Sequence, residues 1–200
     1  MGNAFEGWTI VFDLDGTLVD TAPDLLNALN HVLDKTGHKP VPMDAIHSMI
    51  GSGAKAMIRK GLSAQDASLP DEEIAALWHD FIAHYTANMT VGSRPFPGVV
   101  ETLETLASEG AILAVCTNKL QVLSDKLLDA LDLQRHFASV VGADSVPNHK
   151  PHGDHILLTI NAAGGMPARA IMVGDSQTDK KAARNAGLPF VFVPFGYESD

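Results

Sequence analysis

The sequence has little of what marks secreted or membrane-spanning proteins. Cys116 is the single cysteine among 200 residues, which excludes an internal disulfide and fits a reducing compartment. Apolar runs such as residues 111–116 are far shorter than the roughly 20 residues that a membrane-spanning helix needs. No basic region precedes the first apolar stretch, as a secretory signal peptide would require. We therefore expect a cytoplasmic protein without a membrane partner.

Basic residues are also scarce. The chain has 14 Lys and Arg against 24 Asp and Glu, a formal net charge of −10, and it has no long run of Lys or Arg. A surface of this charge repels nucleic acid phosphates and anionic lipids. We therefore expect no nucleic-acid partner.

The sequence does contain a repeated alternation of strand and helix patterns. Apolar residues make up 46% of the chain, enough for a globular core. Short apolar stretches rich in β-forming residues predict five strands, at residues 8–13, 111–116, 139–141, 170–173 and 189–193. Amphipathic helical patterns lie between them, which is typical of a parallel sheet covered on both faces. The predicted fold class is α/β, with an open parallel, Rossmann-like sheet flanked by helices.

Residues 23–89 interrupt this alternation because they contain no convincing strand pattern. Apolar residues three and four positions apart predict an amphipathic helix at residues 25–33 and a longer one at residues 74–89. We interpret residues 21–94 as an all-helical cap domain, inserted into an α/β core domain made of residues 1–20 and 95–200. Linkers near residues 19–22 and 93–98 are expected to join the two domains.

Polar and charged residues follow four of the predicted strands, directly or after a loop. Ligands of open parallel sheets bind beyond the carboxyl ends of the strands, so these residues are expected to share one crevice. They are Asp13 and Asp15 after the first strand, Thr117, Asn118 and Lys119 after the second, Lys150 after the third, and Asp175 and Asp179 after the fourth.

The carboxylates in this group predict a bound cation. Asp13 and Asp15 are two positions apart on an extended chain and should face the same side, with Asp175 within a few ångströms. Three carboxylates repel one another strongly in a crevice of low dielectric constant, and Mg²⁺ is a cation that prefers such hard oxygen ligands. Lys150 adds a second positive charge. A carboxylate, a divalent ion, a lysine and a hydroxyl group are the parts needed to bind and attack a phosphoryl group.

Local structure offers an alternative interpretation of the same residues. Asp-Gly and Gly-Asp pairs are common in turns, and Pro151 could simply start a helix. Capping boxes are also possible at three helix starts: Ser176 with Asp179, Asn118 with Gln121, and Thr21 with Asp24. Capping alone, however, does not require a charged residue at the end of every strand.

Four segments resemble the motifs of the haloacid dehalogenase superfamily, in the same order along the chain. Residues 11–20, Val-Phe-Asp-Leu-Asp-Gly-Thr-Leu-Val-Asp, resemble the first motif. Thr117-Asn118 looks like the second motif, Lys150-Pro151 like the third, and residues 174–179 like the fourth. The helical insertion after the first motif is similar to the cap of the branch that contains phosphoglycolate phosphatase.

The resemblance implies a role for each of these residues. Asp13 attacks phosphorus and becomes an aspartyl-phosphate, while Asp15 protonates the leaving oxygen and then activates water. The implied phosphate-binding residues are Thr117, Asn118 and Lys150. The implied Mg²⁺ ligands are Asp13, the carbonyl of Asp15 and Asp175, with Asp179 supporting the metal shell.

The activity that follows is a Mg²⁺-dependent phosphatase for a small phosphorylated metabolite, with 2-phosphoglycolate as the first guess. Asp15 distinguishes such an enzyme from the dehalogenases of the superfamily, because a halide leaves without needing a proton. A sugar-phosphate mutase with the same intermediate is one alternative, and a phosphoacceptor or binding module is another. The sequence does not distinguish a monomer from a homodimer.

Two further features are weaker. The turn before Gly53 leads into a helix that carries Lys55 and Arg59, and these three residues are expected to hold the far end of the substrate. His149, His152 and His155 recur every third residue and are either a transition-metal site or part of a polar loop and helix start.

The sequence departs from the pattern of the branch at two places. Gly153 stands where the branch usually has a second proline. Relatives also usually carry a further stretch after the fifth strand, so a C-terminal segment is expected to be short or missing in this sequence, which ends at Asp200.

Overall fold

The computed structural model of the chain describes residues 3–198. These residues form two compact units, one made of residues 3–20 and 94–198 and the other of Thr21–Ser93. We refer to them as the core unit and the cap unit. The expectation about the C-terminal end of the chain lies outside the described residues.

The core unit contains a five-stranded parallel sheet with the strand order β5-β4-β1-β6-β7. The strands of the described chain are β1 (Thr9–Phe12), β2 (Val19–Asp20), β3 (Arg94–Pro95), β4 (Ile112–Cys116), β5 (Ser139–Val141), β6 (Ala170–Gly174) and β7 (Phe190–Phe192). The predicted parallel sheet is confirmed. The five predicted strands are all present, with ends that differ by one residue at most.

The central strand β1 is buried along its whole length, because neighbouring strands flank it on both edges and helices cover the sheet. The helices of the core unit are α5 (Val99–Ser108), α6 (Gln121–Ala130), α7 (Gly153–Ala162) and α8 (Gln177–Ala186). Helices α7 and α8 pack together against β1, β4 and β6, and their apolar side chains include Ile156, Ile160 and Ala182. This packing fixes the carboxyl ends of the central strands.

All of the regular secondary structure in the cap unit is helical. Its helices are α1 (Ala22–Lys35), α2 (Met43–Ile46), α3 (Ala54–Ser63) and α4 (Asp71–Asn88). Helix α4 packs against α1 and α3 and buries Ile74, Leu77, Phe81 and Tyr85, as its periodicity predicts. Residues 23–89 contain no strand, as expected from their sequence.

The predicted linkers contain more regular structure than expected. Strands β2 and β3 form a short antiparallel pair in which Val19 lies opposite Pro95 and Asp20 lies opposite Arg94. Proline is tolerated in a strand of this kind because the strand has a free edge that needs no N–H donor. A two-residue ribbon is too short to produce a periodic pattern, which is why the sequence indicated loops.

One predicted capping box is replaced by a different contact. Helix α1 begins after Thr21, but the Thr21 side chain makes no capping hydrogen bond. The Asp24 carboxylate instead accepts hydrogen bonds from the Gly92 and Ser93 N–H groups, at 2.9 and 2.8 Å, and from the Ser93 hydroxyl at 2.7 Å. Asp24 thereby ties the two ends of the cap unit together.

No helix within residues 3–198 combines the length and the apolar character needed to span a bilayer.

Candidate active site

Three buried carboxylates converge at the carboxyl ends of β1 and β6. Asp13 follows β1, Asp175 follows β6, and Asp179 lies in the first turn of α8. One carboxylate oxygen from each lies within 4.8 Å of the others. We call these three residues the acidic cluster.

The loop after β1 approaches Asp175 so closely that it requires glycine. Gly16 has a φ of +87°, and a Cβ atom there would lie 2.4 Å from Asp175 Oδ2. The next residue, Thr17, donates a hydrogen bond from its hydroxyl group to Asp175 Oδ1 at 2.9 Å. The loop therefore both excludes a larger side chain and orients the carboxylate.

The start of α8 fixes Asp179. Ser176 caps the helix by accepting a hydrogen bond from the Asp179 N–H, and the Asp179 carboxylate accepts one from the Ser176 N–H, so the predicted capping box is present. The Ser176 hydroxyl also lies 2.6 Å from Asp179 Oδ2. The other carboxylate oxygen, Oδ1, accepts a hydrogen bond from Lys150 Nζ at 2.6 Å. Asp179 is thus both a capping residue and a member of the acidic cluster.

Lys150 supplies a positive charge inside the acidic cluster. Its side chain is 2% exposed, and its Nζ lies 2.8 Å from Asp13 Oδ1 and 2.6 Å from Asp179 Oδ1. Burial disfavours the ammonium, but the two carboxylates outweigh it and raise the pKa of Lys150. Lys150 therefore stays charged.

One ammonium does not balance the acidic cluster. Burial, together with the charge of Asp179, raises the pKa of Asp13 to about 8 despite the opposing effect of Lys150. Burial also raises the pKa of Asp175 to about 6, against the hydrogen bonds from Tyr197 and Thr17. These shifts mean that burial and mutual repulsion disfavour the ionised forms of Asp13 and Asp175 when Lys150 is the only neighbouring cation. A hard divalent cation fits such a set of oxygen donors, because it favours their ionised forms.

The carboxylate of Asp15 does not belong to the acidic cluster, contrary to the predicted grouping with Asp13 and Asp175. Lys119 Nζ lies 2.7 and 3.0 Å from its two oxygens. The prediction used the alternation of side chains along a strand, but β1 ends at Phe12, so this alternation does not extend to Asp15. The predicted metal contact of Asp15 concerns its backbone carbonyl and stays a prediction.

Lys119 is a site residue to which sequence reasoning gave no role. It follows Thr117 and Asn118 at the end of β4, and its side chain is 5% exposed although it carries a charge. Its position beyond a strand end was the available signal. A lysine beside Thr117 and Asn118 was open to the same argument that selected Lys150.

Thr117 and Asn118 organise the backbone around these lysines. The Thr117 hydroxyl accepts a hydrogen bond from the Lys119 N–H at 3.1 Å. Asn118 Nδ2 donates to the Lys150 carbonyl at 3.0 Å. The predicted capping of α6 by Asn118 is wrong, because the helix starts at Gln121 with Leu120 at the N-cap, and the Gln121 N–H donates to Asp144 instead.

The segment after β7 also reaches the acidic cluster, which the sequence analysis missed. The Tyr197 N–H donates to Asp175 Oδ2 at 2.7 Å, and its hydroxyl group donates to Asp20 at 3.0 Å. Gly196 permits this approach, since a Cβ atom there would lie 2.2 Å from the Asp175 Cβ. The rule that ligands bind beyond strand ends applies to the fifth strand as well as to the first four, and it was not applied there.

The predicted substrate residues of the cap unit have partners within that unit. Gly53 has a φ of +85° and directly precedes α3. Lys55 Nζ lies 5.3 Å from the centre of the Trp78 ring, and Arg59 pairs with Asp71 at 2.9 Å. Their contact with substrate stays a prediction.

The histidines His149, His152 and His155 do not lie together as a set of metal ligands. His155 is buried, His152 is exposed, and His149 hydrogen-bonds to the Lys150 carbonyl. The acidic cluster is the one potential metal site found in residues 3–198. The nearby departure from the family pattern, Gly153, lies where a Cβ atom would come within 2.5 Å of the Ala186 backbone, so glycine lets α7 begin against the end of α8.

Comparisons with known proteins agree with this architecture. Residues 10–193 match the haloacid dehalogenase-like hydrolase family. The chain is 50% identical to a protein of Caulobacter vibrioides named phosphoglycolate phosphatase, over 98% of this chain and 82% of that protein. It is 48% identical to a protein of the same name from Agrobacterium fabrum, over 94% and 80% of the two chains.

A solved structure shows the same fold. The crystal structure of a predicted phosphoglycolate phosphatase from Haemophilus somnus superposes with a TM-score of 0.89 at 32% identity, covering 98% of this chain and 88% of the other. The match to the family extends over all four motifs and the cap unit between the first two. The chain therefore belongs to the haloacid dehalogenase-like hydrolase family.

Proposed function

We propose that this chain is a Mg²⁺-dependent phosphatase that hydrolyses 2-phosphoglycolate through an aspartyl-phosphate on Asp13. The observation that carries the proposal is the acidic cluster with Lys150 against Asp13. The substrate is supported by the names of relatives that are 50% and 48% identical over almost the whole chain.

In the first half of the reaction, a carboxylate oxygen of Asp13 forms a bond to phosphorus. The bond from phosphorus to the leaving oxygen breaks, and its electron pair stays on that oxygen, which takes a proton from Asp15. Lys150 holds Asp13 Oδ1 at 2.8 Å and so fixes the direction in which the carboxylate faces. The products of this half are glycolate and the aspartyl-phosphate.

In the second half, Asp15 accepts a proton from water as the water oxygen attacks phosphorus. The bond between phosphorus and Asp13 breaks, which restores the carboxylate and releases phosphate. Dividing hydrolysis in this way replaces one difficult step by two easier ones. Lys119 contacts both carboxylate oxygens of Asp15 and thereby holds it in one orientation.

The proposed ligands of Mg²⁺ are Asp13, Asp175 and the Asp15 carbonyl, with Asp179 in support. A Mg²⁺ ion held by these residues would screen the negative charge of the phosphate, so that a carboxylate could approach phosphorus. Thr17 and Tyr197 hold the two oxygens of Asp175, which orients this carboxylate before any ion binds. The single cysteine of the sequence, Cys116, cannot form an internal disulfide, which supports the further proposal that the protein works in a reducing cytoplasm.

Release of free phosphate tests this proposal. A panel of small phosphorylated metabolites, including 2-phosphoglycolate and hexose phosphates, is incubated with the protein in Mg²⁺ or in EDTA. We expect steady phosphate release from 2-phosphoglycolate in Mg²⁺ and none in EDTA. A mutase would isomerise a sugar phosphate without steady release, and a phosphoacceptor module would stop after one equivalent; either result would overturn the proposal.

The choice of metal has its own test. Ca²⁺ is larger than Mg²⁺ and accepts more oxygen ligands, so it can bind both oxygens of Asp13 and leave none to attack phosphorus. We expect Ca²⁺ to inhibit the enzyme in the presence of Mg²⁺. Equal turnover with Ca²⁺ and Mg²⁺ would contradict this assignment of Asp13.

A further inference from the structure

The backbone of Lys150 is held by side chains on both of its polar groups. On the N–H side, His155 Nδ1 accepts a hydrogen bond from the Lys150 N–H at 3.2 Å. The opposite ring nitrogen of His155, Nε2, lies 3.1 Å from the Val141 carbonyl. His155 therefore bridges Lys150 and the end of β5.

These two contacts define the protonation state of the ring. The Val141 carbonyl can only accept a hydrogen bond, so Nε2 must carry the proton. The Lys150 N–H can only donate, so Nδ1 must present its lone pair. Both contacts are satisfied by the neutral ring and not by the imidazolium. Burial, with the nearby charges of Lys150 and His149, lowers the pKa of His155 to about 4, which agrees with this assignment.

Two side chains also contact the backbone carbonyl of Lys150. Asn118 Nδ2 lies 3.0 Å from the Lys150 carbonyl oxygen, and His149 Nδ1 lies 2.9 Å from it. Asn118 follows β4, so the backbone of Lys150 is tied to the ends of two neighbouring strands.

The position of the Lys150 backbone matters because its side chain is long. A lysine side chain has four rotatable bonds, and its ammonium keeps a fixed place only if its backbone is fixed as well. The ammonium lies between Asp13 and Asp179, at 2.8 and 2.6 Å. A shift of the backbone would change both distances.

We propose that His155 is a positioning residue, which holds the backbone of Lys150 through its neutral ring and so keeps the Lys150 ammonium between Asp13 and Asp179. The inference rests on the proposed function, since it takes Lys150 to be part of the catalytic machinery. Packing alone does not call for histidine here, because the neighbouring Ile156 and Ile160 fill the core with apolar side chains. The other buried polar residue of α7, Thr159, satisfies its hydroxyl group within the helix, by donating to the His155 carbonyl at 2.8 Å. A buried polar ring at this position is useful only if its hydrogen bonds are made.

The test is a double-mutant cycle on single turnover of nitrophenyl phosphate. His155→Leu removes both hydrogen bonds at similar volume, and His155→Gln keeps one acceptor and one donor. In the parent background, we expect His155→Leu to slow turnover about 10- to 100-fold, and His155→Gln to recover most of that loss. In the Lys150→Met background, where no ammonium remains to be positioned, we expect His155→Leu to have less than about a 2-fold effect.

Equal losses from His155→Leu in both backgrounds would overturn the proposal, as would an unchanged rate in the folded His155→Leu variant. If His155→Leu does not fold, the unbranched His155→Met takes its place in the same cycle. Ile160→Val, on the same helix, is the control for a general loss of packing, and its effect should be the same in both backgrounds.

The choice of substrate separates this test from the proposed function. The cycle uses nitrophenyl phosphate, so it remains valid if 2-phosphoglycolate proves not to be the substrate. Failure of the parent protein to hydrolyse any phosphate ester would contradict the proposed function and the positioning role with it, because Lys150 would then have no catalytic task. Turnover without coupling between His155 and Lys150 would contradict the positioning role alone.

Discussion

At the residue scale, Asp13 and Asp15 are separated by one leucine but have different surroundings. Asp13 lies in the acidic cluster and contacts Lys150, whereas the carboxylate of Asp15 contacts Lys119. Leu14 between them is fully buried and anchors the loop in the core. Two carboxylates with different partners can have different chemical tasks, as a nucleophile and a proton carrier require.

This difference gives a prediction for Asp15→Asn. A nitrophenolate leaves without needing a proton, so the variant should release about one equivalent per enzyme in a burst and then stall. Ordinary alkyl phosphates need the acid, and their turnover should fall by roughly 10²- to 10⁴-fold. Rapid-quench kinetics on both substrates measures these two effects.

The matched control is Asp132→Asn, at an exposed position whose φ of +57° asparagine adopts readily. It should leave the rates on both substrates unchanged. Normal turnover of alkyl phosphates by Asp15→Asn would show that Asp15 is not the acid.

At the element scale, the close packing of the segments around Asp175 depends on glycine residues. The loop after β1 and the segment after β7 both contact Asp175. Each can approach so closely because it contains a glycine, Gly16 in the first and Gly196 in the second. Gly174 has a similar role toward α8, since a Cβ atom there would lie 2.6 Å from Asp179 side-chain atoms. The acidic cluster is therefore compact because the residues at these three positions have no Cβ atom.

Gly16→Ala tests this feature. The new methyl group would displace the Asp175 carboxylate, so we expect the Mg²⁺ concentration for half-maximal activity to rise about 10-fold or more, in addition to a loss of stability of about 1–3 kcal/mol. Titration of activity with Mg²⁺ measures the first effect, and urea unfolding measures the second.

Gly37→Ala is the control for backbone strain, because Gly37 has a φ of +74° and no atom near its Cβ position. It should cost about 1–2 kcal/mol from the left-handed conformation alone and leave the metal dependence unchanged. The same Mg²⁺ dependence in Gly16→Ala and in the parent protein would count against the crowding argument.

The elements also show what a sequence can and cannot predict. Short runs of apolar, β-forming residues located the five sheet strands, and periodicity located the long helix α4, because that helix has a continuous buried face. It missed the ribbon of Val19 and Asp20 with β3, which is too short for a period. It also missed the pairing of Asp15 with Lys119 and the contact of Tyr197 with Asp175, because both join residues more than 20 positions apart through side-chain geometry.

At the scale of the whole molecule, burial of one histidine links stability to pH. Burial lowers the pKa of His155 to about 4 in the folded protein, from the ordinary histidine value of 6.5. Between these two values the unfolded chain binds a proton that the folded protein does not. The contribution of His155 to the free energy of unfolding therefore falls as the pH drops from 6.5 to 4, by at most about 3 kcal/mol.

Urea unfolding in EDTA between pH 7 and pH 4.5 measures the free energy of unfolding of the parent protein and of His155→Gln. Asp13 and Asp175 have raised pKa values, so their contribution to the free energy of unfolding rises as the pH falls. Both residues are present in both proteins, so this contribution cancels in the comparison. We expect the free energy of unfolding of the parent, relative to that of His155→Gln, to fall as the pH drops. Parallel curves for the two proteins would contradict the neutral, buried ring.

The cap unit is the other feature of the whole molecule that needs a test, because Lys55 and Arg59 were predicted to bind substrate. We expect Lys55→Met and Arg59→Met to raise KM for 2-phosphoglycolate while hardly changing it for nitrophenyl phosphate, which lacks the carboxylate. Lys126→Met, on α6 of the core unit, is a control for loss of one positive charge. Equal losses on both substrates would mean that the two cap residues are structural.

The central claim is that Asp13 carries the phosphoryl group during turnover. The most direct measurement is acid quench of the protein during turnover of radiolabelled 2-phosphoglycolate in Mg²⁺, followed by peptide mapping of the label. We predict a single label, labile to hydroxylamine, on the peptide that contains Asp13, and none in the folded Asp13→Asn variant, which should not turn over. Turnover without a labelled protein, or a label on a peptide that lacks Asp13, would contradict the account.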